Sequence, residues 1–225
     1  MTNNFVTNND DVKDTKPMLN VRSVRRNMVI MLIASIIAIN SVVILSNYEN
    51  REFFSNWIVN ITLVITIGLA FIMMYRQKQS LIHFKSYISI VIALALWFAA
   101  ERVSTYYELG VGTEASFPSF VDLFRLTGYV LFSYHLYSSY LLSRKSFIPY
   151  WKLLSLSMVI NSIAYGGFVY SQMTNITDEI WMWDVLYNTS YLCIATALFW
   201  HNRFFIFKKD QEKAGGKVIP KPFIK

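Results

Sequence analysis

The chain has one cysteine, three histidines and only 14 acidic residues in 225 positions, and each scarcity removes a class of protein. Cys193 alone forms no intrachain disulfide and says nothing about redox compartment. His83, His135 and His201 stand far apart, so no His-Glu-x-x-His metal pattern is present. There is also no Walker loop, no dinucleotide glycine motif and no nucleophile elbow. The expectation is a non-enzymatic protein without metal or cofactor. Charge is scarce too, at 16% of residues against 54% hydrophobic. A mean hydropathy of +0.35 is too apolar for an ordinary soluble domain of this length.

The few charges are unevenly placed. They gather in the first 26 residues, after position 202 and in short gaps between long apolar runs. A helix needs ~20 apolar residues to cross ~30 Å of hydrocarbon. Six stretches answer that description: Met28–Ser46, Phe54–Tyr75, Tyr87–Val103, Leu123–Leu142, Leu153–Tyr170 and Trp181–Phe199. The third and fourth each carry charge at one end. The sequence therefore predicts an all-α polytopic protein with about six transmembrane helices. Residues 27–207 form its membrane domain, between disordered basic tails at 1–26 and 208–225. The first apolar run has no small-residue cleavage site after it, so it reads as a retained helix.

Orientation follows from the basic residues, which favour the cytoplasmic side. All but three of the 21 lie in the N-terminal tail, around Arg76, Lys78 and Lys85, around Arg144, Lys145 and Lys152, or from Arg203 onward. The exceptions, Arg51, Arg102 and Arg125, lie in or near the alternate segments, beside Glu49, Glu52, Glu101, Glu108, Glu114, Asp178 and Glu179. Both termini are thus expected in the cytoplasm of a cell-membrane protein. The net charge of +7 reports topology rather than nucleic-acid binding, with attraction to anionic headgroups as a secondary effect. The expected partners are the lipid bilayer and a membrane or cytoplasmic protein.

Two short segments resemble each other. Asp122-Leu-Phe-Arg-Leu-Thr-Gly-Tyr129 lies over Asp184-Val-Leu-Tyr-Asn-Thr-Ser-Tyr191, with Asn60 at the same interval upstream. Repeated helix hairpins are one origin for such a pattern, and chance is the other.

Glu101, Asp122, Arg125 and Asp184 fall at or just inside the outer boundary of the spans. A charge at mid-bilayer costs ~2.5–3.5 kcal/mol on insertion scales and less near the interface, so such groups face partners. Asp122 and Arg125 are i, i+3 neighbours that can pair, and Glu101 is the other candidate for Arg125. One reading is an outward-facing polar pocket bounded by these four, with Tyr106, Tyr129 and Tyr191 near it. The other is an interfacial salt-bridge cluster that fixes helix packing, ringed by a Tyr/Trp belt. In the loop before Asp122, Gly110 and Gly112 permit tight turns. Pro118-Ser119 suits a helix start, with Ser119 capping and Asp122 three residues on.

Glu101, Tyr106-Tyr107-Glu108, Pro118-Ser119, Asp122 and Gly128-Tyr129 together resemble a known pattern. It belongs to the multi-helix membrane region at the N-terminus of many bacterial and archaeal diguanylate cyclases, phosphodiesterases and histidine kinases. Arg125 stands where that family often has Tyr, and Val130 where it often has Pro. The resemblance covers about 33 residues, Trp97 to Tyr129, and implies a stand-alone relative of a sensory membrane module.

The remaining features have plainer readings. His135 lies mid-span and His201 at a span end, so they are not expected to meet, and His135 is expected to bond a neighbouring helix. Asn175-Ile-Thr177 is a glycosylation-type sequon in an outer loop. Gly166-Gly167, with Ser162 and Ala164, reads as a close helix-packing face. Three functions stay open: a sensory or accessory membrane module, a structural subunit of a larger membrane complex, or a small transporter.

Overall fold

The computed structural model describes residues 21–78, 81–112, 119–143, 150–174 and 180–213. Its elements are six helices: α1 (Val21–Leu45), α2 (Tyr48–Arg76), α3 (Leu81–Tyr106), α4 (Phe120–Ser143), α5 (Tyr150–Thr174) and α6 (Ile180–Lys213). The shortest, α4, has 24 residues and so a length of about 36 Å at ~1.5 Å per residue. Five of the six expected spans fall within these helices, and the first, Met28–Ser46, runs one residue past the end of α1. At the other ends the helices extend further than the apolar runs, because backbone hydrogen bonding does not stop where hydropathy does. α1 begins at Val21, and α6 continues to Lys213, into the segment assigned to the C-terminal tail. Residues 1–20 and 214–225, Pro118, Glu114 and the sequon lie outside the described residues.

Four helices are long and apolar enough by composition alone to cross a membrane: α1, α2, α3 and α5. α3 qualifies despite the charge at its end. α4 and α6 are also long enough, but Tyr, Ser and His dilute the first, and Asp184, Asn188 and His201 the second.

Burial explains the composition. Large apolar side chains lie exposed along the helices, including Ile30, Ile33 and Ile37 on α1, Val64 and Phe71 on α2, and Val159 and Ile163 on α5. Patches of that extent are not stable against water, whereas a bilayer solvates them. The interior holds Ser86, Ser89, Ser139, Ser157, Ser190, Asn161 and Asn188 beside Trp97, Phe132, Leu63, Leu94 and Ile194. Small and polar residues inside and apolar ones outside is the arrangement of helices packed in lipid. This is a multi-pass membrane protein.

α3 packs along α4 and α5 along α6, while α2 lies between α3 and α6 and α1 covers α6. α4 and α5 meet only lightly. Two tryptophans set the closest approaches. A Cβ at Gly128 would fall inside the indole of Trp97, and one at Gly167 inside that of Trp183. Each indole N–H is satisfied across the same contact: Trp97 Nε1 donates to the Arg125 carbonyl at 3.1 Å and Trp183 Nε1 to Ser171 Oγ at 2.9 Å. The expected packing face on α5 is therefore partly right. Gly167 and Ala164 pack inward, but Gly166 has nothing within 4 Å and Ser162 is exposed. α3 closes in a π-helical turn, Tyr107–Val111, stopped by Gly112 at φ 71°, a backbone region that favours glycine.

Candidate functional site

The first polar cluster sits at the end of the bundle where α3 leads into α4. α4 begins at Phe120, and the Asp122 carboxylate turns back onto Ser119. It accepts from the Ser119 backbone N–H at 2.7 Å and from its hydroxyl at 3.1 Å. This is the acidic half of a capping box, with the carboxylate at the positive end of the helix. The other Asp122 oxygen accepts from Tyr165 on α5 at 2.9 Å. Asp122 is thus committed to the helix start and to α5, and the i, i+3 pairing with Arg125 does not form. Arg125 instead reaches α3, donating from Nη2 to Glu101 Oε1 at 3.3 Å and to Ser104 Oγ at 3.4 Å. The Tyr191 hydroxyl of α6 donates to the same Glu101 oxygen at 3.3 Å.

Aromatic rings surround the cation. The guanidinium carbon lies 5.8 Å from the Tyr165 ring, 5.6 Å from Phe168 and 5.8 Å from Tyr187. Ring faces at such distances attract a cation, more strongly when it is desolvated, and Arg125 is only 7% exposed. Hydrogen bonding is incomplete, however. Arg125 Nε, the Tyr187 hydroxyl and both amide atoms of Asn188 are buried without a hydrogen-bond partner among the described residues.

The structure joins Glu101, Arg125 and Tyr191 directly and links Asp122 to them through α5. Tyr129 lies beside them, donating to Asn161 Oδ1 on α5, while Asn161 Nδ2 donates to Ser190 on α6 at 2.8 Å. The two tyrosines of the sequence repeat flank one residue: the Tyr129 and Tyr191 rings lie 5.1 and 6.1 Å from that of Trp97. Asp184 is half-buried on the α6 stripe that carries Tyr187, Asn188 and Tyr191. Tyr106 stands apart, 67% exposed.

A second cluster lies at the opposite end and was not anticipated. Its residues come from four helices: Ser86 and Tyr87 on α3, His135 and Ser139 on α4, Tyr150 on α5 and His201 on α6. His135 Nδ1 lies 2.9 Å from the Ser86 carbonyl oxygen, which only accepts, so that nitrogen carries the proton. Nε2 must then accept, and Ser139 Oγ is 3.3 Å away. The Tyr150 hydroxyl donates to Ser139 at 2.7 Å. Tyr87 is 3.4 Å from Tyr150 and 2.8 Å from His201 Nε2. With the Tyr150 proton spent on Ser139, the chain closes when His201 donates to Tyr87 and Tyr87 to Tyr150. The Ser86 carbonyl thereby sets the His135 end of the row, where the Ser86 hydroxyl also lies 3.0 Å from Nδ1.

His135 bonds the neighbouring α3, as expected. The two histidines do not bond each other, but Ser139, Tyr150 and Tyr87 bridge them. A comparison of depth along the helices misses that, because tyrosines span the gap. A sequence signal for this cluster existed: His135 and Ser139 are i, i+4 on one face of a span-length run. Among the described residues, no three His, Cys, Asp or Glu side chains converge to hold a metal ion.

Between the clusters lie Trp97 and Phe132, stacked at 5.3 Å, with Leu94 and Ile194. Models of known families, curated proteins and solved structures yield no match to this chain. The likeness to sensory membrane regions therefore rests on residues Trp97 to Tyr129 alone.

Proposed function

We propose that this protein is a non-enzymatic sensory or accessory membrane module. In this reading it crosses the bilayer six times with both termini in the cytoplasm, and the Arg125 cluster faces outward. One observation carries the reading: a caged, ion-paired arginine holds three helices together while its own Nε and the neighbouring Tyr187 and Asn188 keep unmet hydrogen-bonding capacity. Buried polar groups are nearly always satisfied, and a group in that state has binding energy left to give. The motif residues support the same view. Glu101, Ser119, Asp122, Gly128 and Tyr129 each make a contact that builds this cluster.

Transmission has a physical route. α3, α4 and α6 each contribute to both clusters, so a shift of α6 at Tyr191 moves His201 on the same rod. α6 continues 14 residues beyond Phe199, roughly 20 Å of helix, which supplies an arm for a cytoplasmic partner. The packed Trp97–Phe132 layer between the clusters speaks against a hydrated transport path in this conformation.

Hydrogen–deuterium exchange on the full chain in lipid nanodiscs tests the coupling. Tyr191→Phe removes one hydroxyl from the Glu101 carboxylate, a loss of about 1.5–3 kcal/mol, and leaves the fold in place. The expected result is altered exchange around His201 and in the α6 arm. A change confined to the turns next to Tyr191 overturns the sensory reading and leaves a packing cluster.

A further inference from the structure

The seam between α4 and α5 is joined at both ends and looser in the middle, where Ser133 Oγ lies 3.8 Å from Met158 Sδ. At one end Asp122 meets Tyr165 and Tyr129 meets Asn161. At the other, Ser139 meets Tyr150, and the Tyr140 and Trp151 rings pack edge to face at 5.4 Å. Between them lies a cleft of about 500 Å³ lined by Leu136, Ser155, Met158, Val159, Ser162 and Ile163. That volume lies within the ~300–1,000 Å³ of small-molecule sites. Val159 and Ile163 are each 56% exposed, so the cleft opens sideways on the lipid-facing surface.

Depth and charge indicate the occupant. From Ser155 to Ile163 the helix rises about 12 Å, close to one leaflet, half of the ~30 Å hydrocarbon core. The cleft therefore matches a chain lying along the membrane normal within a single leaflet. Ser155 Oγ donates to the Trp151 carbonyl at 2.9 Å, so this hydroxyl is already satisfied and the wall suits an apolar guest. One turn beyond Ser155, at the membrane edge, Lys152 is exposed and holds its ammonium 5.7 Å from the Trp151 ring. The sequence adds Arg144 and Lys145 to the same connection.

We propose that the α4–α5 cleft holds an acyl chain of one anionic phospholipid, with its phosphate at Lys152. The orientation given above makes this a lipid of the cytoplasmic leaflet, and in that respect alone the proposal rests on it. Occupancy keeps α4 and α5 apart along their lightly packed seam, between the two clusters.

The experiment uses the full chain, reconstituted in vesicles of equal parts phosphatidylglycerol and phosphatidylcholine, extracted into mild detergent and weighed intact. The expected result is one phosphatidylglycerol retained in preference to phosphatidylcholine. Lys152→Gln should lower that retention roughly fivefold, as the loss of one basic side chain at a membrane surface implies. Ser155→Phe and, independently, Val159→Trp should fill the cleft and abolish retention without lowering the melting temperature. Retention unchanged in both filled variants overturns the proposal, as does equal retention of the two lipids. A wild-type dimer that the filled variants dissociate also overturns it, because the occupant is then a second copy. Binding is read in detergent, so it does not depend on which way the chain faces, and its failure is distinct from a failure of the topology.

Discussion

Arg125 had two carboxylates within reach in the sequence, and the structure chooses between them by helix-capping chemistry. Asp122 is drawn back to the Ser119 N–H, which would otherwise be an unsatisfied donor at the start of α4. Glu101, one helix away, is left to neutralise the guanidinium. Buried ion pairs are costly to form and costlier to break: removing one partner typically costs ~3–5 kcal/mol because the other charge stays buried. Arg125→Leu should therefore lower stability by about that much. Adding Glu101→Gln should recover part of it, with a coupling of about 1–3 kcal/mol. Adding Asp122→Asn should show a smaller coupling, because Asp122 does not touch Arg125 and the two are linked only through Tyr165. Thermal melts of the single and double variants in detergent measure both couplings. A coupling to Asp122 as large as that to Glu101 contradicts the geometry.

At the scale of whole helices, α4 owes its place to Gly128. The Trp97 indole occupies the space a side chain there would need, and its N–H fixes the register by bonding the carbonyl of Arg125. Gly128→Ala should cost about 1–3 kcal/mol, the usual range for overpacking. Gly166→Ala, with open space around it, should stay within about 0.5 kcal/mol. Melting temperatures of the two variants make the comparison, and equal losses would mean that the Trp97 contact does not set α3–α4 packing. Sequence periodicity could place the helices, since apolar runs end where charges begin. It could also mark Glu101, Arg125 and Tyr191 as unusual, since charge and hydroxyl in a span stand out. It could not show which helices abut, so the Tyr87–Tyr150–His201 row stayed invisible. Those residues are up to 114 positions apart, and each alone looks like an ordinary interfacial aromatic or span-end histidine.

For the molecule as a whole, the decisive quantity is the number of crossings. Counting only the four clearly apolar helices leaves α4 and α6 on the membrane surface. Counting all six takes them through it. A reporter at the C-terminus cannot separate these cases, because both numbers are even and both return the chain to its starting side. The connections on either side of α5 do separate them. With six crossings, Ser146 lies in the cytoplasm and Asn175 outside; with four, the two positions exchange sides. Two arguments favour six. Arg144 and Lys145 flank Ser146, and short basic connections stay in the cytoplasm. In addition, α4 packs along α3, and α6 along both α2 and α5, and a helix lying flat on the surface does not align with crossing helices. The chain is suited to a direct test, since Cys193 is its only thiol and is buried. In a Cys193→Ser background, Asn175→Cys should react with a membrane-impermeant maleimide on intact cells, while Ser146→Cys and Lys78→Cys should react only after the membrane is opened. Labelling of Ser146→Cys on intact cells, with Asn175→Cys protected, would establish four crossings and turn the Tyr150 end of α5 outward.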